Sequence, residues 1–243
     1  MINYPITHHY QPTNNSCGQA SLAMLLSYYD KQLTPEDIME IIPVRKNAKG
    51  EDWGTLNQHL AIWCLSQGFA VVMHSADFQI LDTSWAGLSH DELLRRLMRV
   101  KGHRDVPSLG KEFSELYTES YIDFLNASGE LHVHQYLSEK LLDSFLADGP
   151  MIVCVCVNVL YGEGRTKDLE TPALHRSQPD DVDGGLYGHA LVVHGKNDAG
   201  EYMIADPWKE PGFYTVNADK LIGAMYAAQI DTDTSMFGLI PKK

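Results

Sequence analysis

One segment constrains the fold more than any other: CGQASLAMLLSYY, from Cys17 to Tyr29, reads as a helix that is apolar nearly all round. Such a helix has no broad face to give to water, so it must be enclosed on several sides and stand at the centre of the molecule. Scaffold helices follow it. Thr34 ahead of Pro35 and Glu36 pairs a cap residue with proline in the first turn. Thr55 to Gln67 sets Leu56, Leu60, Trp63 and Cys64 at helical spacing before Gly68 stops the run. Phe69 to Met73 predicts a strand, Ser89 caps a helix through Arg99, and Phe113 to Leu125 predicts another helix. Ser138 caps one more before the turn at Asp148, Gly149 and Pro150.

The period then changes. Met151 to Val159, His189 to Val193, Tyr202 to Ala205 and Phe213 to Val216 are short β-rich runs divided by Gly, Pro, Asn and Asp, the pattern of an antiparallel sheet. Helices first and strands later predict an α+β fold, with a site where the two parts meet. We expect a single domain over 1–243, helical to about residue 147 and sheet-forming from about residue 148. Between the strands, Tyr161 to Tyr187 is polar and aperiodic, and so long a connection predicts a lid over a binding site.

With 243 residues, 44% hydrophobic and 21% charged, the chain has the composition of a globular domain. The net charge of -13, with its 19 Lys and Arg scattered, leaves no basic stripe for a nucleic-acid backbone. The start MINYPITHHYQPTNNS lacks the regions of a secretory signal, and the longest apolar run, MIVCVCV, is too short for a membrane span. A soluble, cytoplasmic protein is expected. Cys17, Cys64, Cys154 and Cys156 form no CxxC pair, which fits reduced thiols. No cofactor is expected and no metal is assigned, since the pairs His8 with His9 and His132 with His134 lack further ligands at recognisable spacing.

The chemistry concentrates in QPTNNSCGQA. Ser16, followed three residues later by Gln19, has the form of a capping box, which would put Cys17 in the first turn of the central helix. A thiol there meets unsatisfied N–H groups and the positive end of the helix dipole, and both favour the thiolate. The Cys17 N–H and the Gln11 side-chain amide, six positions upstream, could together form an oxyanion hole. A lone cysteine is more often a small buried hydrophobe. The second half of the chain shifts that balance, because GLYGHALVVHG starts a strand with His189 and EYMIADPW ends the next with Asp206. A carboxylate on one ring nitrogen leaves the other to take a thiol proton.

His194 is the rival base, on the opposite face of the same strand, and Asp198 the rival carboxylate, in a turn where Asp bonds its own backbone. Trp208 and Tyr187 are candidates to bind substrate, and Trp53 is a lesser one. Cys64, Cys154 and Cys156 read as core packing. The acidic run Asp180, Asp181 and Asp183 reads as a solvated loop, with attraction of a basic peptide as its alternative.

Taken together, Gln11, Ser16, Cys17, Gly18 and Ala20, the Gly188 and His189 strand start, and Asp206 with Pro207 resemble peptidase family C39. The resemblance implies a papain-like fold and a cysteine peptidase acting on a peptide or small amide. It implies Cys17 as nucleophile, His189 as base, Asp206 as its orienting group and Gln11 as the oxyanion residue. Gln19 stands where the family usually has proline, and no transporter portion is present, so an export-linked leader-peptidase role is not expected. Release of the thioester to an amine or thiol, giving an acyl or peptidyl transferase, and a catalytically idle peptide-binding module remain the alternatives.

Overall fold

A computed structural model of the chain describes residues 1–46, 50, 52–103, 110–168, 177–230 and 233–241. Among them are eight α-helices: α1 Cys17–Ser27, α2 Pro35–Ile41, α3 Asn57–Ser66, α4 His90–Val100, α5 Gly110–Asn126, α6 Glu139–Leu146, α7 Val157–Tyr161 and α8 Ala218–Ala227. The strands are β1 Ile2–Asn3, β2 Phe69–Ser75, β3 Glu130–Val133, β4 Met151–Cys156, β5 Thr166–Asp168, β6 Ser177–Pro179, β7 Gly188–Lys196, β8 Tyr202–Ala205, β9 Phe213–Val216 and β10 Ser235–Pro241. The expected α+β architecture is present, with a buried central helix packed on a largely antiparallel sheet.

That sheet runs β3-β2-β10-β4-β7-β8-β9, with β1 added against β7. Its strands pair antiparallel except β2 with β3. The sheet is not confined to the second half of the chain. β10 pairs with both β2 and β4, so strands from the mainly helical first part share one sheet with the rest.

Strand alternation sorts side chains into two apolar layers. Ile152 of β4, Ala190 and Val192 of β7 and Phe237 and Leu239 of β10 pack in one cluster with α1, α3 and α5. Val153 and Val155, Leu191 and Val193, and Met236 pack in the other with α6 and α8. A strand covered on both faces needs no polar alternation, which is why MIVCVC is buried throughout. Helix α1 has every residue from Gly18 to Leu26 buried, and Ser21 Oγ ties it to β7 by donating to the Ala190 carbonyl at 2.9 Å.

Local signals account for most helix starts. Thr34 and Asp37 form a reciprocal capping box on α2, and Ser89 and Ser138 accept from Glu92 and Leu141 on α4 and α6. The run expected as one strand from Met151 to Val159 breaks after Cys156 and turns into α7, closed by Gly162 in the left-handed region at φ 73°. The polar stretch after it holds the β5–β6 hairpin, tied down by Tyr187 Oη donating to the Thr166 carbonyl. Residues 169–176, at the middle of the expected lid, lie outside the described residues.

Candidate active site

Cys17 is the first residue of α1 and partly buried. Its N-terminus is not the capping box expected from Ser16 and Gln19. Ser16 Oγ accepts from the Thr13 N–H at 2.9 Å, and Gln19 Nε2 donates to the Ile42 carbonyl at 2.9 Å and Thr55 Oγ1 at 2.8 Å, so α1 has no side-chain cap. The first-turn N–H groups thereby stay available to the thiol, and that of Gly18 favours its ionised form. Gly18 also lets α1 approach α3: a Cβ there would lie 3.2 Å from Leu60 Cδ1.

The sheet supplies the other members. His189 stands near the start of β7, paired with Val155 of β4, and Asp206 follows β8 directly. His189 Nε2 donates to Asp206 Oδ1 at 2.9 Å, with the side chains 5% and 0% exposed. With Nε2 taken, Nδ1 is the nitrogen left to face the Cys17 thiol, and thiol and imidazole shift one another's titration. The imidazole thus stands between the thiol it acts on and the carboxylate that holds it. The rivals stand elsewhere: His194 Nδ1 faces the Tyr4 carbonyl at 3.1 Å, and Asp198 pairs with the N-terminal amine at the surface.

Burial alone would raise the Cys17 thiol. The bond to His189, the charge of that ring and the N–H groups of Ala190 and Gly18 outweigh it and hold the thiol below its ordinary 9.0. Burial would lower His189, but Asp206 beside it, with the sulfur on the other side, lifts it to about 10. For Asp206 burial opposes ionisation, yet the charge of His189 and a full set of donors hold it well below the usual carboxylate range. The arrangement favours a thiolate and imidazolium over a neutral pair.

Asp206 has more partners than the sequence suggested. Oδ1 also accepts the N–H groups of Trp208 at 2.9 Å and Lys209 at 3.3 Å. Oδ2 accepts the phenols of Tyr161 at 2.8 Å and Tyr214 at 2.7 Å. Sequence reasoning missed both tyrosines, because a phenol at the end of α7 and another in β9 carry no spacing that points to a common acceptor.

Gln11 is buried, and its N–H donates to the Pro207 carbonyl at 2.9 Å, stitching the N-terminal segment beside Asp206. Its Nε2 donates to the Thr13 and Asn14 carbonyls at 2.7 and 3.0 Å. Both amide hydrogens are therefore engaged. A cleft of about 570 Å³ opens here, lined by Tyr10, Gln11, Tyr161, Glu163, Trp208 and Lys209 among others. Trp208 stands on that wall. Tyr187 does not: its N–H binds Asn158 Oδ1 at 3.0 Å and its phenol holds the hairpin.

The remaining candidates, His8 apart, fall outside the site. Cys64, Cys154 and Cys156 are buried free thiols. Trp53 packs edge-on against Phe113 with centroids 4.0 Å apart. Asp180 and Asp183 are ion-paired with Lys167. His8 Nε2 meets the Asp206 carbonyl at 2.8 Å, while His132 and His134 stack on His74 across β2 and β3. Among the described residues no group of three His, Cys, Asp or Glu is disposed to hold a metal ion, and no helix is long and apolar enough to cross a membrane.

The thiol on the buried helix and the imidazole and carboxylate on the sheet are the set of residues that the sequence resemblance named. The comparison with protein families agrees: the Peptidase C39 family model matches residues 5–85, the stretch that carries Gln11 and Cys17, while His189 and Asp206 lie beyond the match. Solved structures similar to the chain include a C39-like peptidase from Bacillus anthracis, at 13% identity and TM-score 0.49, covering 100% of this chain and 98% of that one. The peptidase domain of Streptococcus ComA, a bifunctional ABC transporter, is similar at 13% identity and TM-score 0.43, with 98% and 99% covered. A double-glycine-motif protease from an AMS/PCAT transporter, in complex with a leader peptide, is similar at 12% identity and TM-score 0.44, with 99% and 94% covered. No curated protein sequence matches the chain.

Proposed function

We propose that the protein is a cysteine peptidase of C39-like, papain-like type, one domain over 1–243, which cleaves an amide bond in a peptide or small amide through a Cys17 thioester. The observation that carries this reading is the buried His189 imidazole, held by the Asp206 carboxylate on one nitrogen and acting on the Cys17 thiol from its other side. The family match to the Cys17 segment supports it.

In the proposed reaction the Cys17 thiolate attacks the substrate carbonyl carbon, and the carbonyl electron pair moves onto oxygen. The Cys17 N–H, at the first helical position and without an intrahelical acceptor, points one donor at that oxyanion. Gln11 supplies the second by exchanging one loop carbonyl for the oxyanion, a change favoured because a bond to a charged acceptor is stronger than one to a neutral carbonyl. As the tetrahedral species collapses, the C–N bond breaks and the His189 imidazolium gives its proton to the leaving nitrogen. Neutral His189 then takes a proton from water, whose hydroxide attacks the thioester. Collapse releases the acid and restores the thiolate and imidazolium. Trp208 forms part of the cleft wall that receives the substrate. Four unbridged thiols suit a reducing compartment such as the cytoplasm.

The test is digestion of a peptide library by the purified protein and by Cys17→Ala. Cleavage is expected from the former and none from the latter, with unchanged circular dichroism; an active Cys17→Ala protein overturns the assignment. Repeating the digestion with added amines separates hydrolysis from transfer.

A further inference from the structure

Orienting one imidazole requires one carboxylate oxygen, and Oδ1 of Asp206 already does so. Oδ2 is nonetheless held by two phenols, Tyr161 at 2.8 Å and Tyr214 at 2.7 Å, which reach it from separate elements, α7 and β9. The Lys209 ammonium lies over both rings, 4.3 Å from the Tyr161 centroid and 5.4 Å from that of Tyr214. A cation on the ring face draws electron density from the phenol and strengthens its O–H as a donor.

We propose that Tyr161 and Tyr214 are positioning residues that clamp Oδ2 and so fix the plane of the Asp206 carboxylate with Oδ1 aimed at His189 Nε2. The inference rests on the reading of Cys17 and His189 as the reacting pair. The Cα-to-carboxylate torsion of Asp is broad and nearly two-fold, so a carboxylate held through one oxygen can swivel and exchange its oxygens. Donors on both oxygens, from four different segments of chain, stop that rotation. Deprived of both phenols, the buried Oδ2 would have to find other donors, and those nearest are the ones now used by Oδ1: the His189 N–H and the backbone N–H groups of Trp208 and Lys209. The His189 ring would then lose its single orientation toward Cys17. Burial and the Asp206 charge keep both phenols un-ionised, so both remain donors. Both rings also pack against the second apolar cluster, and a Tyr to Phe change keeps that packing while deleting the donor.

The experiment follows the Cys17 thiolate by its absorbance near 240 nm, and the rate of Cys17 alkylation, across pH. The proteins compared are the wild type, Tyr161→Phe, Tyr214→Phe and the double variant. In the wild type the thiolate midpoint is expected below the ordinary 9.0. Each single variant is expected to alkylate about two- to fivefold more slowly at pH 6, and the double variant at least tenfold more slowly, with its midpoint moved toward 9.0. A folded double variant with wild-type midpoint and rate overturns the clamp while leaving the pair intact. A wild type that already titrates at 9.0 overturns the underlying pair itself. Should the double variant not fold, the single variants decide, and wild-type rates in both of them refute the proposal.

Discussion

The nitrogen of His189 that faces Asp206 decides what the other can do. Because Nε2–H is held by a fully buried carboxylate, Nδ1 is left to face the sulfur, with the Cys17 thiol lowered and the imidazole raised. The linked groups make stability depend on pH in a definite direction. His189 is lifted from 6.5 to about 10, so its contribution is complete below pH 6.5 and disappears as pH rises through about 10. Asp206 is held below its ordinary 3.8, so its contribution is present above 3.8 and disappears as pH falls through the lowered value. Asp206→Asn should therefore cost most between pH 3.8 and 6.5, about 3–5 kcal/mol as for other broken buried pairs, and less toward pH 10. Denaturant midpoints across pH measure this, and a pH-independent difference would count against the ion pair. At this scale the placement of Cys17, His189 and Asp206 at the ends of apolar elements was legible in the sequence, because each lies beside a turn. Tyr161 and Tyr214 were not, since hydrogen bonds from a phenol leave no periodic trace. Ser16 and Gln19 had the form of a cap and a different use, which only tertiary partners such as Ile42 and Thr55 reveal.

Helix α1 and strand β7 meet at the site, and Ser21, fully buried, tethers one to the other by donating to the carbonyl of Ala190, next to His189. Ser21→Ala removes that donor without adding bulk. The expected loss is about 1 kcal/mol, read as a lower urea midpoint with unchanged m-value, together with slower Cys17 alkylation because the helix is no longer held to the strand. An unchanged midpoint would show that apolar packing alone sets the spacing. Helices with a side-chain cap, at Thr34, Ser89 and Ser138, were legible because the cap is local chemistry. The turn from β4 into α7 was not, because an apolar run looks the same in a buried strand and in a short helix. Asn158 makes the difference, donating from its side chain to the Gly164 carbonyl and accepting the Tyr187 N–H. Strand β10 was missed for a related reason. It is buried from Ser235 to Leu239 and so lacks the alternation that marks a half-exposed strand.

For the whole molecule β10 matters most, since by pairing with β2 and β4 it joins the helical first part to the later strands in one sheet. The expected division into helices and then sheet was too sharp because the parallel pair β2 and β3 lies inside the helical part. Cys17 packs against the first apolar cluster while Tyr161 and Tyr214, bound to Asp206, pack against the second, so the two layers of the molecule meet around His189 and Asp206. That meeting is where the account is most exposed to test. Iodoacetamide labelling from pH 4 to 9, mapped by mass spectrometry at all four cysteines in the wild type and in His189→Ala, measures it directly. The account predicts rapid modification confined to Cys17 at pH 6, lost in His189→Ala, with Cys64 inert because burial raises its thiol. A Cys17 that reacts only as pH approaches 9.0, at the same rate with and without His189, would contradict it.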